Sequence, residues 1–137
     1  MKQLLTALAI MSLSSAAHAD VIDTFKTVCM SDLGNPAAIA KRGSAKGFKM
    51  NNLSGDAWMG FNKKIDQSLQ INAFTKNSFE CAVTTSDVSD PNALRKEFFS
   101  GLGLKDRKGV AKGKIGGKTY YFKHDTKGGE ALVVYAK

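Results

Sequence analysis

Two cysteines and two histidines carry the side chains of this sequence that are best suited to covalent or acid–base chemistry. Cys29 and Cys81 are its only cysteines. They are far apart and lack the Cys-x-x-Cys spacing of a redox motif, which favours one structural disulfide over a redox pair or a nucleophile. In an oxidising compartment the bond would close a loop of about 50 residues and stabilise the fold by about 4 kcal/mol in the chain-entropy model.

The histidines, His18 and His124, give little support to an active site. We expect His18 to be removed with a signal peptide, so His124 is the one candidate base for a Ser-His-Asp arrangement. Its predicted position is the end of a strand, on the side shared with Tyr120 and Phe122, where packing or hydrogen bonding is the commoner role. One histidine and two paired cysteines do not supply a zinc ligand set, and we expect no metal and no cofactor.

Acidic residues could serve as the paired carboxylates of a glycoside hydrolase. Asp56, Asp66, Glu80 and Asp87 are available, but no spacing selects two of them. A small hydrolase of envelope material, with His124 or a carboxylate as its base, is therefore an alternative function without a defined site.

Basic residues outnumber acidic ones, with 20 Lys and Arg against 12 Asp and Glu and a net charge of +8. The excess is concentrated between residues 101 and 127, in a Gly-rich connection and the strand after it. The basic residues that we take as candidate binding residues are Lys105, Arg107, Lys108, Lys112, Lys114 and Lys123. In an exported protein they indicate an anionic lipid, a polysaccharide or an acidic protein face rather than nucleic acid. A solvated loop that keeps the protein soluble is the alternative.

Tyr121 and His124 complete the candidate binding residues. Period-2 alternation places Tyr121 on one strand face with Thr119 and Lys123, where we expect it to be exposed. An exposed tyrosine beside a lysine could stack on a sugar or anchor a protein contact. An ordinary cross-strand aromatic pair is the alternative.

Residues 1–19 have the order of charge, apolar run and small residues that is typical of a cleavable signal peptide. Lys2 gives the charge, residues 4–13 form the apolar run, and residues 17–19 (AHA) fit the small-x-small cleavage pattern. The apolar run is well short of the ~20 residues that a spanning helix needs. We therefore predict a mature domain of residues 20–137, located in the periplasm, or outside the cell if the source has no outer membrane.

Hydrophobic periodicity predicts a single α+β domain, with helices packed on an antiparallel sheet of four to five strands. Paired period-2 runs indicate two hairpins, and a weaker pattern indicates one more strand. The first hairpin is residues 68–74 with 79–84, the second is residues 118–124 with 130–136, and the weaker strand is residues 56–62.

Three helices are predicted, an N-terminal pair and one central helix. The pair covers residues 20–32 and 36–42, and the central helix follows the cap-like pair Asp90-Pro91. Glycines, among them Gly43, are expected to end these helices. Residues 43–55 and 104–117 are predicted as loops.

The two cysteines fall on apolar faces of different elements. Cys29 shares a helical stripe with Phe25, and Cys81 lies between Phe79 and Val83 on the apolar face of a strand. A helix laid across the sheet would bring these faces together, so we expect the disulfide to join the first helix to the sheet.

These patterns favour an exported, non-enzymatic binding protein of unknown ligand, of the kind that inhibitors and immunity proteins represent. The basic Gly-rich segment predicts an anionic partner and a complex that weakens with salt. A small envelope hydrolase and a structural envelope component are the alternatives.

Overall fold

The computed structural model describes residues 13–86, 88–127 and 129–137, with side chains from residue 18 onward. Most of the predicted signal peptide and Asp87 lie outside these described residues. The helices are α1 (Leu13–Thr24, extended by a π-helical turn, Phe25–Cys29), α2 (Pro36–Ala45) and α3 (Pro91–Leu102). The strands are β1 (Lys49–Ser54), β2 (Ala57–Asn62), β3 (Gln67–Ile71), β4 (Phe79–Thr85), β5 (Val110–Ile115), β6 (Lys118–Asp125) and β7 (Glu130–Ala136).

The strands form one antiparallel sheet in the order β1-β2-β3-β4-β7-β6-β5. Helix α3 carries the chain from β4 to the far edge, so that β7, and not β5, pairs with β4. The helices pack on one face, where Phe25, Leu69, Phe98 and Phe122 are fully buried. This arrangement confirms the predicted α+β class. We call the opposite face, on which no described helix packs, the open face.

The sheet has seven strands rather than the four to five expected, because the predicted loops contain both edge strands. Residues 43–55 include β1, and residues 104–117 include β5. All but one residue of β1 are exposed, so its sequence shows no apolar alternation. Lys112 and Lys114 mask β5 in the same way. Polar and lysine-rich edge strands are a common protection of a sheet against pairing with another chain.

The helix boundaries differ from the predictions in two places. Helix α1 begins at Leu13, inside the predicted signal peptide, rather than at residue 20. Helix α2 passes through Gly43 and ends at Ala45. Gly43 is buried, and a Cβ there would lie 2.5 Å from Cδ2 of Leu69. This glycine therefore permits close packing of α2 on β3 rather than ending the helix.

The predicted starts of α2 and α3 are confirmed by their capping hydrogen bonds. Oδ1 of Asn35 accepts a hydrogen bond from the backbone N–H of Ala38 at 3.2 Å, and Oδ1 of Asp90 accepts one from Ala93 at 3.1 Å. Each cap is followed by a proline in the first helical turn, where its missing N–H costs nothing.

Gly43→Ala is expected to destabilise the protein by about 1–3 kcal/mol, the usual cost of overpacking. Alanine has the higher helix propensity, but its methyl group would force the fully buried Leu69 to move. Urea denaturation measures the change. Ser44→Ala, at an exposed position of the same helix, is the control and should change stability by less than about 0.5 kcal/mol. A Gly43→Ala variant as stable as the control would contradict this packing.

The predicted disulfide is confirmed. Cys29 and Cys81 are bonded, with their Cα atoms 5.7 Å apart, and both side chains are fully buried. Cys29 ends the π-helical turn after α1, and Cys81 pairs with Val134 across the β4–β7 ladder. The bond therefore attaches the N-terminal helix to the centre of the sheet.

Candidate functional site

The open face of the sheet carries a cluster of tyrosine and lysine side chains on β5, β6 and β7. Alternation along β6 turns Tyr121 and Lys123 to this face and Phe122 to the core. The register sets Tyr121 between Lys112 on β5 and Tyr135 on β7, and cross-strand partners share a face. We call the following set the Tyr–Lys patch: Lys112, Lys114, Tyr121, Lys123, Tyr135 and Lys137.

The centre of the Tyr–Lys patch is a stacked cross-strand aromatic pair, in which Tyr121 is half-buried rather than exposed as expected from the sequence. The rings of Tyr121 and Tyr135 have centroids 5.3 Å apart and planes that differ by 22°. Nζ of Lys137 lies 4.6 Å from the centroid of Tyr121, and Nζ of Lys123 lies 5.5 Å from that of Tyr135. Such contacts are worth about 0.5–1 kcal/mol each at exposed sites, and they position the ammonium groups without neutralising them. The patch thus combines aromatic surface with held cations.

Two carboxylates border the patch, one on β4 and one at the end of β6. Glu80 is the cross-strand neighbour of Tyr135, and Oδ2 of Asp125 lies 3.8 Å from Nζ of Lys123. They line a shallow depression of about 190 Å³. Neither carboxylate forms an ion pair with Lys112 or Lys114 on β5.

The structure separates the six basic candidate residues into two groups. Lys112 and Lys114 are exposed on β5, and neither takes part in an ion pair with another described residue. Lys123 lies beside them on β6. The remaining three lie in the connection between α3 and β5: Lys105, Arg107 and Lys108.

Asp106 attaches this α3–β5 connection to the helix layer. Oδ2 of Asp106 lies 2.8 Å from Nη2 of Arg95 on α3, and Oδ1 accepts a hydrogen bond from the backbone N–H of Gly109 at 2.7 Å. The connection is therefore held at the start of β5 and beside α3. The single basic segment expected from the sequence is divided between this connection and the open face.

His124 lies apart from the patch. It shares the core side of β6 with Phe122, its side chain is 3% exposed, and Nε2 is 2.7 Å from Oε1 of Glu130. Neither of these two atoms has a hydrogen bond to any other described residue. This environment makes His124 part of the packing between β6 and β7, away from any ligand on the open face.

The sequence predictions missed two members of the patch, Tyr135 and Lys137. Alternation along β7 placed Tyr135 on the face opposite Val134, but the side that this face occupies depends on the pairing of β7 with β6. Lys137 follows the last strand and is recognised only by its contact with the ring of Tyr121. Strand pairing was the missing information in both cases.

The three candidate carboxylates that the structure describes lie on separate parts of the sheet. Asp56 lies in the β1–β2 turn, Asp66 in the β2–β3 turn, and Glu80 on the open face of β4, while Asp87 is outside the described residues. Across residues 13–86, 88–127 and 129–137, no three His, Cys, Asp or Glu side chains are grouped to hold a metal ion. None of the helices in these same ranges combines the length and apolar character needed to cross a bilayer.

No family model, curated protein or solved structure matched this chain.

Proposed function

We propose that this protein is an exported, non-enzymatic binding protein that holds an acidic protein on the open face of its sheet through the Tyr–Lys patch. The observation that carries the proposal is the stacked pair of Tyr121 and Tyr135 with the ammonium groups of Lys123 and Lys137 over the rings. Lys112 and Lys114 extend the positive surface to the edge of the sheet.

The shallow surface beside the Tyr–Lys patch supports a protein as the partner. The depression beside the patch has a volume of about 190 Å³, whereas pockets for small molecules enclose about 300–1,000 Å³. Tyrosine is enriched at protein interfaces because it buries a large ring and keeps a polar end. Lysines around the rings would add complementarity to a negative partner, which speeds association and selects against basic proteins.

Export is part of the proposed function. The position of the core is compatible with cleavage after residue 19. Nδ1 of His18 lies 2.7 Å from Oε2 of Glu97, a contact that cleavage after residue 19 would remove. The carboxylate of Asp20, the expected first residue, accepts a hydrogen bond from Nε2 of Gln67 at 2.9 Å. Among the α1 residues whose side chains are described, the buried apolar ones begin at Val21, so they stay with the mature domain.

The two alternative functions have less support. A hydrolase that uses His124 needs this side chain to reach a substrate, and its burial beside Glu130 opposes that role. No feature of the described residues specifically supports a structural envelope component.

Charge reversal tests the proposed function. The patch variant, Lys112→Glu/Lys114→Glu/Lys123→Glu, and the matched control, Lys105→Glu/Arg107→Glu/Lys108→Glu, change the net charge equally but on different surfaces. Each is immobilised beside the unaltered protein and exposed to the extracytoplasmic fraction of the source organism. We expect the unaltered protein and the control to retain an acidic protein. The patch variant should retain at least tenfold less of that protein.

Salt provides the second measurement of the same complex. Raising the ionic strength from about 0.1 M to about 1 M shortens the Debye length from about 10 Å to about 3 Å, so the retained protein should elute. Equal retention by the patch variant and the unaltered protein would refute the proposal, as would capture of a polysaccharide alone.

A further inference from the structure

A second concave surface lies at the other end of the open face, across β1 and β2. It is a groove of about 800 Å³, within the size range of ligand sites. Leu53, Met59 and Phe61 form its apolar lining, and Leu53 and Phe61 are 47% and 44% exposed. Soluble proteins seldom leave neighbouring large apolar side chains in water unless a ligand or partner covers them.

Lysines surround this apolar lining. Lys49, Lys63 and Lys64 are exposed, and none of them forms an ion pair with another described residue. A fourth, Lys46, is already paired, with Nζ 3.1 Å from Oδ2 of Asp23. No Asp or Glu among the described residues lines the groove. An anion at this position would therefore meet three available ammonium groups and no like charge.

The groove is separate from the Tyr–Lys patch. Strands β3 and β4 lie between them in the sheet, and they carry Gln70 and Glu80 on the open face. The two surfaces also differ in chemistry, because the patch is aromatic and polar whereas the groove has an aliphatic and aromatic lining. One can be altered without touching the other.

A groove with an apolar lining and a cationic margin is complementary to a molecule that has a hydrocarbon part and an anionic head. Apolar contact and charge each contribute separately to the binding of such amphiphiles. The concave shape favours one molecule lying in the groove over a flat membrane surface. The geometry points to a binding site for a single anionic lipid, with its chain along Met59 and Phe61 and its head group at Lys49, Lys63 and Lys64.

Isothermal titration calorimetry with lysophosphatidylglycerol, kept below its critical micelle concentration, tests this site. The unaltered protein should bind it at least tenfold more tightly than it binds lysophosphatidylcholine, which has no net charge. Lys49→Gln/Lys63→Gln/Lys64→Gln should lose at least tenfold in affinity, and so should Phe61→Ser. The charge-reversed patch variant should bind this lipid as the unaltered protein does, which distinguishes failure of this site from failure of the proposed function.

Three results would overturn the inference. The first is equal affinity for lysophosphatidylglycerol in the unaltered protein and both groove variants. The second is equally tight binding of glycerol phosphate, which has the charge but no chain and would define a simple anion site. The third is binding to phosphatidylglycerol vesicles without binding to the monomeric lipid, which would make the groove a membrane contact. Circular dichroism confirms that each variant is folded before titration.

Discussion

Replacing both Cys29 and Cys81 with alanine is expected to lower the free energy of unfolding by about 4 kcal/mol. The bond joins residues 52 apart in the chain. This separation determines how much conformational entropy the bond removes from the unfolded chain, and hence how much it stabilises the fold. Small domains have a total stability of about 5–15 kcal/mol, so this change removes a large part of it. Urea denaturation at neutral pH, with and without the disulfide, measures the difference.

The reduced, unsubstituted protein is the control for this experiment. It loses the same covalent constraint but keeps the sulfur atoms, so it separates the bond from the small cavity that alanine leaves in the core. Both forms should unfold at a similarly lowered urea concentration. A loss below about 1 kcal/mol in both forms would contradict the stabilising role expected of the disulfide.

Phe25→Ala is expected to destabilise the protein by about 3–5 kcal/mol, the usual cost of removing a buried phenylalanine. Phe25 is completely buried where the N-terminal helix, α3 and β6 meet. Its ring contacts the edge of Phe98 with centroids 5.0 Å apart, and its centroid lies 6.4 Å from that of Phe122. The substitution therefore removes apolar contacts with two other elements at once.

Phe74→Ala is the matched control because the side chain of Phe74 is 86% exposed in the loop between β3 and β4. The same chemical change there should alter stability by less than about 0.5 kcal/mol. Thermal and urea denaturation of the two variants give the comparison. Similar stability of Phe25→Ala and Phe74→Ala would mean that the N-terminal helix does not pack on the sheet as described.

Alternating or capped segments were predictable from the sequence. The central hairpins have one buried face, so Leu69 with Ile71 and Cys81 with Val83 recur at every second residue. The edge strand β1 is almost wholly exposed, and the core side of β5 buries only the small residue Ala111, so both strands resemble loops in sequence. Local sequence therefore indicates where the core lies but not how far the sheet extends beyond it.

The candidate site was predictable only in part, for a related reason. The position of Tyr121 and Lys123 on one face follows from alternation within β6. Their proximity to Tyr135 and Lys137 depends on the pairing of β6 with β7, which is a long-range property. Lys105, by contrast, is close to these residues in the sequence but lies in the α3–β5 connection, outside the Tyr–Lys patch.

An NMR titration shows whether the Tyr–Lys patch is the binding surface. The isotope-labelled protein is titrated with the acidic protein recovered in the capture experiment, and amide shifts are followed residue by residue. We expect the largest changes at open-face positions of β5, β6 and β7, namely Lys112, Tyr121, Lys123 and Tyr135. Changes confined to the helix layer or to residues 105–108 would contradict it.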